Sequence, residues 1–247
     1  MAASAIVVAM SPVPQDPAYH AFADRRTMFG VPNALNVLSN VAFLVAGWFG
    51  LWVLRDRGRE ASMFAGVPVA QARRAYVALF AGTLLTGVGS AYYHLAPDSA
   101  RLVWDRLPMT IGFMGLLSAI VGERVSARAA RLLFVPLLAA GAASVAYWGW
   151  TESHGAGDLR PYGLVQFGSL AIVVLLLALY RAPQAATPYL VTALAAYGAA
   201  KLFEAFDALI FSAGGLVSGH TLKHVAAAVG LGLVGLMLRH RGRRPAC

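Results

Sequence analysis

Long runs of hydrophobic residues alternate with short polar connections along most of the chain. A helix that crosses the hydrocarbon core of a bilayer, about 30 Å thick, needs roughly 20 predominantly apolar residues. Seven runs of about this length occur, at about 34–54, 75–95, 102–121, 132–150, 161–180, 187–207 and 220–238. The pattern predicts an all-α membrane protein that forms one bundle of seven transmembrane helices.

The composition agrees with this prediction. The chain has 247 residues, of which 59% are hydrophobic and 13% charged, with a mean hydropathy of +0.64. This is too apolar for an ordinary soluble domain of the same size. The short connections leave no room for a second domain. We therefore expect an exposed N-terminal arm at 1–33, a transmembrane domain at 34–238 and a basic cytoplasmic tail at 239–247.

The basic residues are distributed unevenly between the two sides of the predicted bundle. Thirteen arginines follow the first, third, fifth or seventh run: Arg55, Arg57, Arg59, Arg73, Arg74, Arg124, Arg128, Arg131, Arg181, Arg239, Arg241, Arg243 and Arg244. The positive-inside rule then predicts an outer N-terminus and a cytoplasmic C-terminus. We expect the tail to face anionic lipid headgroups rather than nucleic acid. The Ala- and Arg-rich composition is typical of a GC-rich bacterial genome, and it favours a bacterial inner membrane.

Five polar residues fall at one predicted depth, near the outer face. Ser90 and His94 end the second run, Asp105 begins the third, and His220 and His224 begin the seventh. An ionisable group inside a bilayer costs about 2.5 to 3.5 kcal/mol on insertion scales, so each needs a partner or a function. Three histidines without cysteine are typical of a catalytic zinc site. Asp105 is then a candidate base and Ser90 a candidate oxyanion donor.

Each of these residues also has a simpler interpretation. His94 alone would be an ordinary interfacial histidine, and two histidines four residues apart occur often by chance. Ser90 alone would be a small residue for close helix packing. Asp105 with Arg106 could form a surface ion pair or a charge at a helix N-terminus. Their coincidence at one depth favours the metal site.

Four segments together resemble the alkaline ceramidase family, part of a superfamily of seven-helix membrane hydrolases that includes the adiponectin receptors. They are "NALNVLSNVAF", "GVGSAYYH", "WDRLPM" and "HTLKH", and together they cover nearly the whole predicted transmembrane part. The resemblance implies that His94, His220 and His224 hold zinc. It also implies that Asp105 activates the zinc-bound water, with Ser90 assisting at the metal or the oxyanion. The family hydrolyses the amide of ceramides.

The family also holds calcium in its N-terminal arm, close to the first helix. The corresponding segment, "ADRRTMFGVPNALN", offers Asp24, Asn33 and Asn36, with Asn33 where the family usually has a glutamate. Calcium takes six to eight oxygen ligands and favours carboxylates. This arm is poor in them and basic, so calcium stays uncertain here. We expect Arg25 or Arg26 to substitute electrostatically.

Other polar residues have two interpretations each. Those near the predicted outer ends of helices six and seven are Lys201, Glu204, Asp207 and Lys223. They form either an internal ion-pair network or a set that orients a zinc-bound histidine. At the start of helix five, Tyr162 and Gln166 serve either as pocket groups or in helix capping and packing.

We therefore expect an integral-membrane, zinc-dependent lipid amidohydrolase that acts on ceramide or a related N-acyl lipid and releases a fatty acid and an amine. A different class, kept as the alternative, is a seven-helix lipid receptor or signalling protein with a structural zinc and no turnover. A third is an ion transporter that uses Lys201, Glu204 and Asp207. That class is disfavoured because the polar groups cluster near one face instead of crossing the membrane.

Overall fold

The computed structural model describes residues 11–181 and 186–243. Predictions made for Arg244 and for the ends of the arm and tail lie outside these residues. Within them the chain forms seven long helices: α1 Ala34–Val53, α2 Val69–Leu95, α3 Ser99–Arg124, α4 Ala127–Ser153, α5 Arg160–Leu179, α6 Thr187–Ala205 and α7 Gly219–Arg243. Short helices lie at Pro17–His20, Arg57–Arg59, Glu60–Met63 and Asp207–Gly214. No strand occurs in the described ranges.

Five of these helices, α1, α2, α4, α5 and α7, are long and apolar enough to cross a membrane. Both α3 and α6 carry charged residues that lower their hydropathy. Large apolar side chains are exposed along the bundle, among them Trp48 at 62%, Leu132 at 64% and Val135 at 68%. Exposed apolar surface on this scale indicates contact with lipid. The chain therefore has the architecture of a helical membrane protein.

Several helices extend beyond the apolar runs. α2 begins at Val69 and α7 continues to Arg243, so residues 239–243 of the predicted tail are helical. Arg241, expected in that tail, is 8% exposed and forms an ion pair with Glu123. It is therefore unavailable to lipid headgroups. The hydropathy pattern missed this because a buried, paired arginine has the same local signature as an exposed one.

Close packing of α2 against α3 positions the middle of the site. A Cβ atom at Gly89 would lie 2.0 Å from the carbonyl oxygen of Trp104, and one at Gly115 would lie 2.6 Å from the backbone nitrogen of Leu79. Only glycine permits such an approach of two backbones. The contact at Gly89 brings the next residue, Ser90, to the start of α3.

The N-terminal segment is not the uniformly exposed arm that the sequence predicts. Gln15 is 7% exposed, Phe22 5% and Asp24 2%. Leu159 donates a backbone hydrogen bond to Val13 across 2.8 Å, which fixes the segment to the loop before α5. The segment therefore packs over the ends of the helices that carry the three histidines.

Candidate metal centre and cavity

The three predicted metal ligands meet in one buried group. His94 lies in the last turn of α2, and His220 and His224 lie in the first two turns of α7. The Nε2 atom of His94 is 3.3 Å from Nε2 of His224 and 3.3 Å from Nε2 of His220. Their ligand atoms all lie within 4.8 Å of one another, and each residue is at most 4% exposed.

Two of the three nitrogen–nitrogen distances fit a tetrahedral metal ion. With metal–nitrogen bonds of about 2.0 to 2.1 Å and tetrahedral angles, two ligand nitrogens lie about 3.3 Å apart. Three histidine ligands leave a fourth position for water or substrate. The group could therefore hold a divalent ion such as zinc.

The orientation of His224 is set by a break in α1, which divides this helix into the segments Ala34–Leu38 and Val41–Val53. Ser39 lies at this break, and its hydroxyl donates to the Asn36 carbonyl across 3.0 Å. The same Oγ atom is 2.7 Å from Nδ1 of His224. Because the hydroxyl proton is already committed, Oγ accepts from a protonated Nδ1. The lone pair of His224 is then left on Nε2, where the other two histidines converge.

His220 is fixed through its backbone. Its N–H donates to Oδ1 of Asp207 across 2.7 Å, while Oδ2 of Asp207 accepts from the backbone N–H of Ala23 at 2.9 Å. A Cβ atom at Gly219 would lie 2.1 Å from the carbonyl oxygen of Phe203, so glycine allows α7 to begin against α6. Asp207 therefore positions the first turn of α7 and does not contact the His220 ring.

Phe22 covers the histidines from the N-terminal segment. Its ring centroid lies 4.7 Å from that of His94 and 4.4 Å from that of His220. Asn33 donates to the carbonyl oxygen of His94 across 2.9 Å. Among the described residues, Nδ1 of His94 has no hydrogen-bond partner. The segment thus closes the metal-binding group on one side with an apolar ring.

Ser90 and Asp105 form a second pair beside this group. Both residues are buried, at 2% and 9% exposed. Both line the same cavity as His224. A carboxylate, a hydroxyl and a metal ligand therefore share one enclosed space.

Glu204 organises the remaining charges. Its carboxylate accepts from Lys201, from Lys223 across 2.6 Å and from the Tyr19 hydroxyl across 3.3 Å. Lys201, Glu204 and Lys223 therefore form an ion-pair network that joins α6 to α7. Asp207, predicted with them, has the separate contacts described above.

A cavity of about 360 Å³ connects these groups. Its polar end includes Ser90, Asp105 and His224, and its other walls are largely apolar, with Leu79, Leu116, Val173, Leu190 and Val234 among them. Tyr162 and Gln166 also line it, and Gln166 donates to the Tyr197 hydroxyl across 2.7 Å. The cavity is therefore amphipathic, with the candidate chemistry at its polar end.

The three residues considered for calcium have separate partners. Arg26 donates to both carboxylate oxygens of Asp24, and these hydrogen bonds hold the pKa of Asp24 below its ordinary value. The Asn36 side chain accepts from Thr221 across 2.9 Å, and the Asn33 amide binds the His94 carbonyl. The Arg26 guanidinium thus binds both oxygens of the one carboxylate that calcium would need. This agrees with the expectation that an arginine of the arm substitutes electrostatically for the ion.

Sequence reasoning gave no role to Ser39, Phe22, Tyr19 or Arg106, although all four contact the site or its cavity. Ser39 lies in the segment "NALNVLSNVAF" that resembles the ceramidase family, and Arg106 is a charge that interrupts an apolar run. Both features could have marked these two residues as functional candidates. Phe22 and Tyr19 gave none, because their segment has no periodic pattern.

No protein-family model matches the chain, and a search of curated proteins found no match.

Proposed function

We propose that the protein is a membrane-embedded, zinc-dependent hydrolase that cleaves the amide bond of an N-acyl lipid. One observation carries the proposal: three buried histidines whose nitrogens lie close enough to hold a metal ion stand beside a cavity that Ser90 and Asp105 also line. The sequence resemblance to alkaline ceramidases suggests ceramide as the substrate. The apolar walls of the cavity suit an acyl chain of this kind.

The protein groups have distinct tasks in this proposal. When bound, zinc would supply a Lewis acid and activate water as a nucleophile near neutral pH. Asp105 accepts a proton on its carboxylate and returns it to the nitrogen of the departing amine. Ser90, which lines the cavity beside Asp105, is available to donate to the oxyanion that develops on the acyl carbonyl. Phe22 excludes water from the histidine side.

The proposal includes the membrane arrangement expected from the sequence. Seven helices cross the membrane, the histidines lie near the outer face and the C-terminus is cytoplasmic. The arginine distribution supports this orientation. The Ala- and Arg-rich composition supports a bacterial inner membrane. Arg239 and Arg243, which remain at the end of α7, then face anionic headgroups.

The metal is tested by elemental analysis of protein purified in lipid nanodiscs without chelators. We expect about one zinc per chain in the wild type and none in the variant His220→Ala, His224→Ala. His154→Ala is the matched control, because this histidine is exposed in the loop after α4. A folded wild-type protein that binds no zinc would contradict the proposal.

Catalysis is tested by fatty-acid release from a panel of ceramides and other N-acyl lipids. General acid–base catalysis typically contributes a factor of about 10² to 10⁴, so Asp105→Asn should lower kcat by at least about 100-fold while zinc is retained. If wild-type protein binds these lipids and zinc but releases no fatty acid, the receptor alternative replaces the hydrolase.

A further inference from the structure

Arg106 is a buried cation at the polar end of the cavity. It follows Asp105 in α3, is 5% exposed and lines the same cavity as Ser90 and His224. A charged group in such a place is costly unless it is paired. Its partners therefore decide whether it is structural or functional.

The partners of Arg106 are aromatic or neutral. Its guanidinium lies 4.2 Å from the ring centroid of Trp148, 4.8 Å from that of Tyr162 and 5.5 Å from that of Tyr19. Nη2 donates to the side-chain oxygen of Gln15 across 2.6 Å. None of the ion pairs in the described ranges includes Arg106, and its buried Nη1 has no hydrogen-bond partner there.

The nearby carboxylates form no ion pair with Arg106 in the described ranges. Glu204 accepts from two lysines, Lys201 and Lys223. These three residues, Asp105 and Arg106 all line the cavity, so three cations face two carboxylates. A divalent metal at the histidines would add further positive charge. The polar end therefore lacks an anion.

We propose that Arg106 binds an anionic group, a carboxylate or a phosphate, on the amine portion of the substrate. The aromatic rings hold the guanidinium in place, and its free Nη1 donates to the anion. The group belongs to the amine portion because Arg106 lies beside Asp105, where the amine departs, while the apolar walls suit the acyl chain. This inference rests on the proposed function and narrows its substrate class to anionic N-acyl lipids.

A structural role for Arg106 would also involve the N-terminal segment, because Gln15 and Tyr19 contact the guanidinium. That role predicts equal losses for all substrates when Arg106 is changed. It also predicts that Gln15→Ala has a similar effect. An anion site predicts a loss that depends on substrate charge and on the guanidinium.

The kinetic test compares N-oleoylglycine, N-oleoylphosphoethanolamine and an oleoyl ceramide as substrates in nanodiscs. Wild type should prefer at least one anionic substrate to the ceramide, and which one identifies carboxylate or phosphate. In Arg106→Met, the ratio of anionic to neutral kcat/KM should fall about 10- to 100-fold, mainly through KM. In Arg106→Lys this ratio should lie between those of the wild type and Arg106→Met, because an ammonium keeps the charge but lacks the planar pair of N–H donors of a guanidinium. Arg101→Met, a more exposed arginine of α3, should leave the ratio unchanged.

A binding measurement separates this inference from the hydrolase proposal. The metal-free variant His220→Ala, His224→Ala should bind N-oleoylglycine or N-oleoylphosphoethanolamine more tightly than the neutral oleoyl ceramide. Adding Arg106→Met should abolish that preference.

If ceramide is hydrolysed but the charge of the substrate changes neither binding nor kcat/KM, the anion site is overturned and the hydrolase stands. If nothing is hydrolysed but the Arg106-dependent preference persists, the hydrolase fails and the anion site stands. Tight binding of free oleate alone would assign Arg106 to the fatty-acid carboxylate and overturn the inference.

Discussion

The two ends of the bundle are built from the same three helices and treat buried charge differently. At one end, the histidine end, α2 supplies Ser90 and His94, α3 supplies Asp105, and α7 supplies His220 and His224. At the other, the Glu123 end, α2, α3 and α7 supply Tyr76, Glu123 and Arg241.

The Glu123 end is closed by reciprocal bonds. Oε1 of Glu123 accepts from the Tyr76 hydroxyl and from Nη1 of Arg241, each across 2.7 Å, and Oε2 accepts from Nη2 of Arg241 across 3.1 Å. Both carboxylate oxygens are therefore used. None of these three residues lines the cavity described above.

The histidine end has polar atoms without protein partners. Nδ1 of His94 and Nη1 of Arg106 are buried without a hydrogen-bond partner in the described part of the chain, and the Nε2 atoms of three histidines lie close together. Buried groups normally find partners. Nε of Arg241, at the Glu123 end, also lacks a partner, but both oxygens of the Glu123 carboxylate are used. The comparison teaches that a buried ion pair stabilises one end, whereas the other gathers three histidines and an arginine outside any ion pair of the described residues, an arrangement suited to a ligand.

The largest expected effect tests the Glu123 end. Glu123→Ala leaves Arg241 buried without its carboxylate, which should reduce the free energy of unfolding by about 3 to 5 kcal/mol. Thermal unfolding in detergent measures the loss. The double variant Glu123→Met, Arg241→Met should recover much of it, because neither charge then remains buried. A single variant as stable as the wild type would mean that this end does not hold the helices together.

A smaller effect tests the histidine end. Ser39→Ala removes the acceptor of the His224 Nδ1–H, and loss of such a contact typically lowers metal affinity about 10- to 100-fold. Competition with a chelator measures the Kd for zinc, while the melting temperature of the metal-free protein should change little. Ser153→Ala, an exposed serine with a similar backbone contact, is the control. Equal zinc affinity in the wild type and Ser39→Ala would refute the orienting role.

The smallest effect concerns an ion pair that belongs to neither of the two groups compared above. In the loop before α5, hydrogen bonds from Arg160 lower the pKa of Asp158 from 3.8 to about 2. The native state thus favours the ionised carboxylate. Its contribution to the free energy of unfolding is complete above pH 3.8 and is lost as the pH falls towards about 2. In Asp158→Asn, the melting temperature should depend less on pH in this window. If the melting temperatures of Asp158→Asn and the wild type depend equally on pH, this ion pair does not contribute to stability.

The grouping of the histidines could be predicted from sequence because helix ends alternate between the two sides of a bundle. His94 ends one helix and His220 begins another, so topology alone brings them to one depth, and the structure confirms a group that can hold a metal ion. The exposed arm was a wrong expectation for Gln15, Phe22 and Asp24, which are buried. Their burial depends on contacts with helices far along the chain, such as that of Gln15 with Arg106, and leaves no local pattern.

The role of Arg241 could not be read from sequence either. Its neighbours in the chain are basic, and only the pairing of α7 with α3 distinguishes it from them. Hydropathy predicts that a helix exists. It does not identify which side of its last turn meets a carboxylate on another helix.

The contact between Ser39 and His224 joins residues 185 positions apart. One lies in α1 and the other in α7, which leaves the ribosome much later. During synthesis, α2 therefore enters the membrane with its His94 side chain long before the two histidines of α7 exist. The group of three is complete only after α7 has been inserted and has packed against α1, so loading of the proposed metal would be a late step in the maturation of the protein.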